Sequence, residues 1–277
     1  MMGLPDLAER HDVFLVDQFG VLHDGVRAFP GAANALAKLK ATGATIVLLS
    51  NSGRPAAPNA DRLTRLGFAP KSYDRLQTSG DIAREKLAEA APVNGNAMPR
   101  CLLLSRSNDT SPVDGLGIEL VRSASDADIV LIGGSHSEDH DIDYYETLLR
   151  PAAERGVPAI CSNPDKIMMT EIGLRYGPGA VAERYAAMGG PVTWIGKPFP
   201  EMYRAALHDL GDPAPDRVCC IGDSIEHDIA GGAGAGLKTA LVRTGILANE
   251  DAANLAALFD RYGAWPDYVI PAFVWDK

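Results

Sequence analysis

Asp17, Ser50, Asn51, Lys197 and Asp223 are the residues whose types, taken together, can do chemistry on a phosphoryl group. Asp17 closes one apolar run, Ser50-Asn51 a second and Gly222-Asp223 a third, while Lys197 lies in a Gly196-Lys197-Pro198 turn ahead of a helix. Two carboxylates can chelate a hard cation such as magnesium, which prefers oxygen ligands and often shares them with phosphate. A hydroxyl and an amide can hold phosphoryl oxygens, and an ammonium offsets their charge. One carboxylate can instead attack phosphorus while metal and lysine offset charge in the transition state. Each residue alone has a plainer reading. Asp17 can be a strand-end turn residue, Lys197 a solvated charge, and Ser50-Asn51-Ser52-Gly53 a turn or helix cap. The order and context of all four elements favour a site.

Such distant segments meet only if the elements between them fold back regularly. Val13–Val16, Thr45–Leu49, Arg217–Ile221 and Lys238–Val242 read as buried strands, with Tyr268–Ile270 a short last one. Helices are expected over Pro30–Lys40, from about Asn59 to Leu66, from Glu201 to Leu210, and from Ile225 until a break at Gly231–Gly236. The middle of the chain repeats the alternation, with strands at Cys101–Leu104, Ile129–Ile132 and Pro158–Cys161, and Thr193–Ile195 lies past it, leading into Gly196-Lys197-Pro198. Helices there read at Asp81–Ala90, Tyr144–Arg155 and Glu183–Met188, and Asn94–Pro99 and Ser105–Gly115 read as polar surface connections. This pattern predicts an α/β fold with parallel sheet, in which ligands gather beyond the carboxyl ends of strands. Gly231, Gly232, Gly234 and Gly236 do not read as a dinucleotide loop, because they follow a helix rather than a strand.

Four motifs stand in order: Val16-Asp17-Gln18-Phe19-Gly20-Val21-Leu22, Leu48-Leu49-Ser50-Asn51-Ser52, Ile195-Gly196-Lys197-Pro198, and Ile221-Gly222-Asp223-Ser224-Ile225-Glu226-His227-Asp228-Ile229. Thr78-Ser79-Gly80-Asp81 and Ser162-Asn163-Pro164-Asp165 lie between the second and third. With these the chain resembles, over nearly its whole length, the class IIA branch of the haloacid dehalogenase (HAD) superfamily, relatives of the NagD-like and 4-nitrophenyl phosphatases. The resemblance implies a three-layer Rossmannoid core at 1–79 and 190–277, with an inserted α/β cap domain of the C2 type at 80–189. It implies Asp17 as nucleophile, Ser50 and Ser52 on the phosphate, Asn51 near the substrate, and Lys197 balancing charge. Magnesium would sit on Asp17, Asp223 and the backbone carbonyl of Phe19, supported by Asp228 and Ser224. Asn163 and Asp165 are the cap-side candidates for contact with substrate.

One position departs from that pattern. The family's first motif normally reads Asp-x-Asp, the second Asp serving as general acid and base, and here its place is taken by Phe19. A phenyl ring carries no proton, and proton transfer of this kind is typically worth roughly 10²–10⁴ in rate. His23, beside Asp24, is the nearest substitute acid or base in sequence, although a turn role suits it as well. The leading expectation is a magnesium-dependent phosphatase of a small phosphorylated metabolite, working through an aspartyl-phosphate. The alternative is a weakly catalytic or non-catalytic protein that binds a phosphorylated ligand. Transfer to an acceptor other than water shares the same first step.

Composition sets the outer bounds. With 277 residues, 46% hydrophobic and 22% charged, the chain is an ordinary globular sequence. A net charge of -10 argues against nucleic acid or an anionic membrane as partner. It leaves a homo-oligomer open. Cys101, Cys161, Cys219 and Cys220 form no CxxC pair, and no leader is visible at Met1–Arg10, so a reducing cytoplasm is the expected setting. Six histidines without HExxH make a zinc enzyme a poor fit.

Overall fold

The computed structural model describes residues 2–90, 98–170 and 172–275. Most of the expected connection at Asn94–Pro99 lies outside the described residues. Contacts divide the chain into two compact units, one of residues 1–50, 57–77 and 197–277, the other of 51–56 and 78–196.

The first unit is built on a six-stranded sheet. Its order is Tyr268–Ile270, Lys238–Val242, Val218–Gly222, Val13–Asp17, Thr45–Ser50, Arg75–Thr78. Val13–Asp17 runs parallel to Val218–Gly222 on one side and to Thr45–Ser50 on the other. The chain leaves this strand in one direction and later fills the opposite side, so the strand order reverses here. Such a switch point opens a crevice at the carboxyl ends. Both central strands are buried almost end to end, as strands covered on both faces must be, and their sequences are continuous apolar runs. Cys219 and Cys220 are buried there as free thiols, and burial raises both pKa values.

The expected helix ends inside the glycine-rich stretch, at Gly234, and it opens as a wide turn. Ile225–Ile229 forms a wide π-type turn, and Ala230–Gly234 continues as helix through Gly231 and Gly232. These glycines serve close packing: a Cβ at Gly232 would stand 2.9 Å from Thr239 Cγ2 and 3.0 Å from Cys220 Cβ. Their lack of side chains lets the helix lie against the sheet. Sequence reading also assigns nothing to Ala252–Tyr262, which is a helix with Asp251 capping its start and Gly263 its end. It buries Leu255 and Phe259 against Ile225, Ile229 and Leu241, and so backs the wide turn.

The second unit carries its own five-stranded parallel sheet, ordered Val192–Trp194, Ala159–Cys161, Ile129–Ile132, Arg100–Leu104, Glu119–Val121. Helices Ile142–Glu154 and Pro178–Ala187 present Tyr145, Leu149, Ala152, Val181, Ala182 and Tyr185 at helical spacing, packed with Leu102, Val130 and Ile132. An antiparallel hairpin, Ile167–Thr170 with Gly173–Tyr176, was not expected from sequence. Because Val192–Trp194 pairs with Ala159–Cys161, residues 190–196 belong with this sheet rather than with the other unit. The division therefore falls at 77/78 and 196/197, not at 79/80 and 189/190, and takes in 51–56. Both units are α/β, and the fold as a whole is a three-layer Rossmann-like core with an inserted α/β cap. Among the described residues no helix is long and apolar enough to cross a membrane.

Tyr185 tests the packing of the second unit. Its buried Oη donates to Val157 O at 2.6 Å. Tyr185→Phe leaves that carbonyl unsatisfied and should cost about 1–3 kcal/mol. Urea unfolding followed by circular dichroism measures it; an unchanged midpoint would mean that another group satisfies Val157.

Candidate active site

Each acidic side chain arrives at a strand end. Asp17 is the last residue of the central strand, in register with Leu49, so Ser50 stands one residue further along the neighbouring strand. Asp223 follows the strand Val218–Gly222 on the other side. Lys197 reaches both sides of the site. Its Nζ donates to Asp17 Oδ1 at 2.5 Å and to Asp228 Oδ1 at 2.7 Å. The lysine is only 3% exposed and Asp228 only 4%.

Local backbone holds these groups in place. The wide turn Ile225–Ile229 projects Asp228 back toward its own start, where Oδ2 accepts the Ser224 N–H at 3.1 Å. Ser224 Oγ caps the same turn by accepting the His227 N–H at 3.2 Å. Asp223 Oδ2 accepts the Ile246 N–H at 2.9 Å. Thr244 Oγ1 donates to Gly20 O at 2.6 Å, tying that loop to the turn after Asp17. Gly20 has φ +86° and lies so close to Asp223 that a Cβ there would overlap its carboxylate. Thr244 to Ile246 form a part of the site that sequence reading missed. Their one signal is position, just past the apolar strand Lys238–Val242.

Charge in this cluster is unbalanced. Asp17, Asp223 and Asp228 each offer an oxygen within 4.8 Å of the others, against the single ammonium of Lys197. Burial pushes the Asp17 carboxyl up to about 7, with Lys197 opposing and Asp228 adding repulsion. Burial, then repulsion from Asp17 and Asp228, lifts Asp223 well above the carboxylate range, while the Ile246 N–H opposes. For Lys197 burial works against the charge, but Asp17 and Asp228 outweigh it and hold the pKa above the lysine range. A buried set of oxygens with a deficit of positive charge fits a hard divalent cation.

Around Phe19 the chemistry is apolar. Its ring is 44% exposed and meets the His23 ring edge-on at 5.9 Å between centroids. His23 is buried, its Nδ1 accepts the Gly25 N–H at 3.0 Å, and its Nε2 has no partner among the described residues. Burial, with help from Arg62 and against Asp24, lowers its pKa to about 4, so the ring is neutral at pH 7. Asp24 Oδ1 accepts the Val26 and Arg27 N–H groups and closes an exposed turn.

The remaining candidates belong to the second unit. Asn51 Nδ2 donates to Asp165 Oδ1 at 2.7 Å, and Asn163 Oδ1 accepts the Asp165 N–H at 3.1 Å. Ser52 Oγ accepts the Arg54 N–H at 3.3 Å.

Comparison with known proteins agrees with this architecture. The family described as haloacid dehalogenase-like hydrolase matches residues 14–119, and the one described as HAD-hydrolase-like matches residues 194–275. Human (Homo sapiens) chronophin is 30% identical over 92% of this chain and 89% of its own. The haloacid dehalogenase-like hydrolase domain-containing protein 2 of Bos taurus is 32% identical over 87% of this chain and 88% of its own. Among solved structures, a haloacid dehalogenase-like hydrolase from Brucella suis 1330 superposes with TM-score 0.84 at 30% identity, covering 99% of this chain and 100% of that one. The p-nitrophenyl phosphatase of Archaeoglobus fulgidus gives 0.75 at 28%, covering 95% and 97%. A glycerol phosphate phosphatase from Mycobacterium tuberculosis, solved with magnesium, gives 0.75 at 26%, covering 96% and 77%.

The raised carboxyl groups make cation uptake a proton-releasing event. At about pH 6 Asp17 should hold a proton that a divalent cation must displace before this carboxyl can serve as a ligand, and the raised Asp223 carboxyl adds to the same demand. Affinity should therefore rise with pH through the Asp17 value of about 7, and the protons released per cation should fall. Calorimetry in two buffers of different ionisation enthalpy reads this directly. Binding at that lower pH without proton release would show the carboxylates already ionised.

Proposed function

Since this chain belongs to the haloacid dehalogenase-like hydrolases, in their class IIA, NagD-like branch, and is a phosphoric monoester hydrolase, we propose that it is a magnesium-dependent phosphatase of a small organic phosphate that works through an aspartyl-phosphate on Asp17. The observation that carries this reading is the Lys197 ammonium held between Asp17 and Asp228, with Asp223 in the same buried cluster.

Asp17 attacks phosphorus, the ester oxygen leaves, and a water then attacks the aspartyl-phosphate, releasing phosphate and restoring the carboxylate. Lys197 keeps its charge throughout. It favours the ionised form of Asp17 and offsets the charge of the transferred group. Asp228 anchors the lysine from its far side, and Ser50 offers a hydroxyl to a phosphoryl oxygen. Ser52 and Asn51 are further phosphate-side candidates. Magnesium, when bound, neutralises phosphoryl charge, and Asp17, Asp223 and the Phe19 carbonyl would hold it, with Asp228 and Ser224 behind them.

Phe19 bears on the substrate. The leaving oxygen needs a proton unless it is already a stable anion, and position 19 supplies none. His23 is neutral at pH 7, with Nδ1 occupied by the Gly25 N–H, so it makes a weak acid. We therefore infer a preference for esters with good leaving groups, such as aryl or acyl phosphates. The same residue is what favours a second reading, a phosphate-ligand binding protein with little turnover.

Two measurements test this. Asp17→Asn should lower kcat/KM by about 10⁴-fold or more, as loss of a covalent nucleophile does. Across a graded series of phosphate esters, the rate of the native protein should climb as the leaving-group pKa falls. Phe19→Asp should help alkyl esters most, by up to roughly 10²-fold, provided thermal melting shows it folded. A flat leaving-group dependence with ready alkyl hydrolysis would dismiss the role given to Phe19. Inactivity of both proteins on every ester would favour the binding reading.

A further inference from the structure

Asn163-Pro164-Asp165 is a turn of the second unit that touches two particular residues of that unit. Asn51, the residue after Ser50, donates Nδ2–H to Asp165 Oδ1 at 2.7 Å. Gly196, the residue before Lys197, faces the same turn. It has φ +115°, and a Cβ there would stand 2.7 Å from Pro164 Cδ and 2.8 Å from Asn51 Oδ1. One turn thus bears on the chain next to Ser50 and on the chain next to Lys197. All of these contacts are internal to the second unit.

The turn is itself fixed from behind. Asp165 N–H donates to Asn163 Oδ1 at 3.1 Å, and Gly179 N–H donates to Asp165 O at 3.0 Å. A Cβ at Gly177 would overlap Asp165 O, and one at Gly179 would overlap Pro164 O. The start of the 51–56 segment is held as well. Ser52 O accepts the Gly80 N–H at 3.0 Å and Ser79 Oγ–H at 3.1 Å. A Cβ at Gly53 would stand 2.7 Å from Gly133 O. Residues 51–53 are therefore a tightly seated part of the second unit, although Ser50 before them is the end of a strand in the other sheet.

We propose that Asp165 is a positioning residue: through Asn51 it sets the peptide that follows Ser50, and the turn it belongs to sets the peptide that precedes Lys197. Its carboxylate is engaged on the protein rather than on the substrate. The acceptor oxygen matters, and the negative charge does not. A group displaced by about 1 Å can cost 10²-fold in rate, so loss of this bond should appear in kcat.

The kinetic half of the test rests on the phosphatase reading, and the structural half does not. Hydrogen exchange is followed on the peptide covering residues 49–56, and kcat and KM are measured with magnesium on 4-nitrophenyl phosphate and an alkyl phosphate. In D165A the amides of Asn51 to Arg54 should exchange faster. In the same variant kcat should fall about 10-fold or more, by a similar factor for both esters, with little change in KM. D165N keeps an acceptor for Asn51 and should restore both readouts. A KM increase that differs between the esters, with exchange unchanged, would overturn the proposal in favour of direct substrate contact. So would D165N behaving like D165A. Should D165A fail to fold, N51A removes the donor instead, and unchanged exchange there overturns the proposal. If the native protein hydrolyses neither ester, the phosphatase reading fails on its own, and exchange alone decides the role of Asp165.

Discussion

A lysine ammonium buried between two carboxylates is the interaction around which the first unit is arranged. Removing three such charges from water is expensive, and their mutual attraction offsets the cost only with close geometry and further hydrogen bonds. Both conditions are met at Lys197, 2.5 Å from Asp17 and 2.7 Å from Asp228, with the Ser224 N–H on the second oxygen of Asp228. Asp223 adds a further buried carboxylate that this lysine does not balance. Such a cluster is weak evidence for stability. It is better evidence for a site that a cation or a phosphoryl group completes, because folding alone gains little by keeping it.

The sheet explains how these charges can be held. Val13–Asp17 and Val218–Gly222 are parallel neighbours whose apolar lengths are buried, and the strand order reverses between the central strand and its flanks. Rigid strand ends place Asp17 and Asp223 with little freedom, the Ile246 N–H orients Asp223, and the wide turn Ile225–Ile229 presents Asp228, which accepts the Ser224 N–H. The second unit applies the same economy differently. It seats residues 51–53 by glycine contacts and hydrogen bonds, so the segment following Ser50 is ordered by neighbours remote in sequence.

Buried parallel strands were legible because they are unbroken apolar runs, and the residues just past them follow from the rule that ligands collect at carboxyl ends. That was enough to propose Asp17, Ser50 and Asp223, with Lys197 from its own turn, and the structure brings Asp17, Lys197 and Asp223 into one cluster. Strands whose identity depends on a neighbour were not legible. Arg75–Thr78 and Glu119–Val121 are short and half polar, and only pairing makes them strands. The hairpin at Ile167–Tyr176 is of the same kind. Ile246 was beyond sequence reading for another reason, since its contribution is a backbone N–H that almost any residue supplies. Asp165 was found as a residue of interest, but its partner was not, because spacing in sequence says nothing about a hydrogen bond across 114 positions.

A count of protons around Asp17 gives Phe19 its meaning. Lys197 is committed to two carboxylates and held above the lysine range, so it does not give up a proton at pH 7. Asp228 accepts from Lys197 and from Ser224, and Asp223, although burial favours its protonated form, would already have lost that proton on serving as a magnesium ligand in the proposed reaction. His23 is neutral, and the proton it carries on one nitrogen is bound too tightly to be handed to an ester oxygen. None of these groups in the first unit is free to do what a carboxyl at position 19 would do. In the proposed reaction the leaving oxygen must then depart as an anion, or take its proton from water or from the substrate itself. Both routes favour a leaving group of low pKa, which makes substrate choice a consequence of one side chain rather than of pocket shape alone.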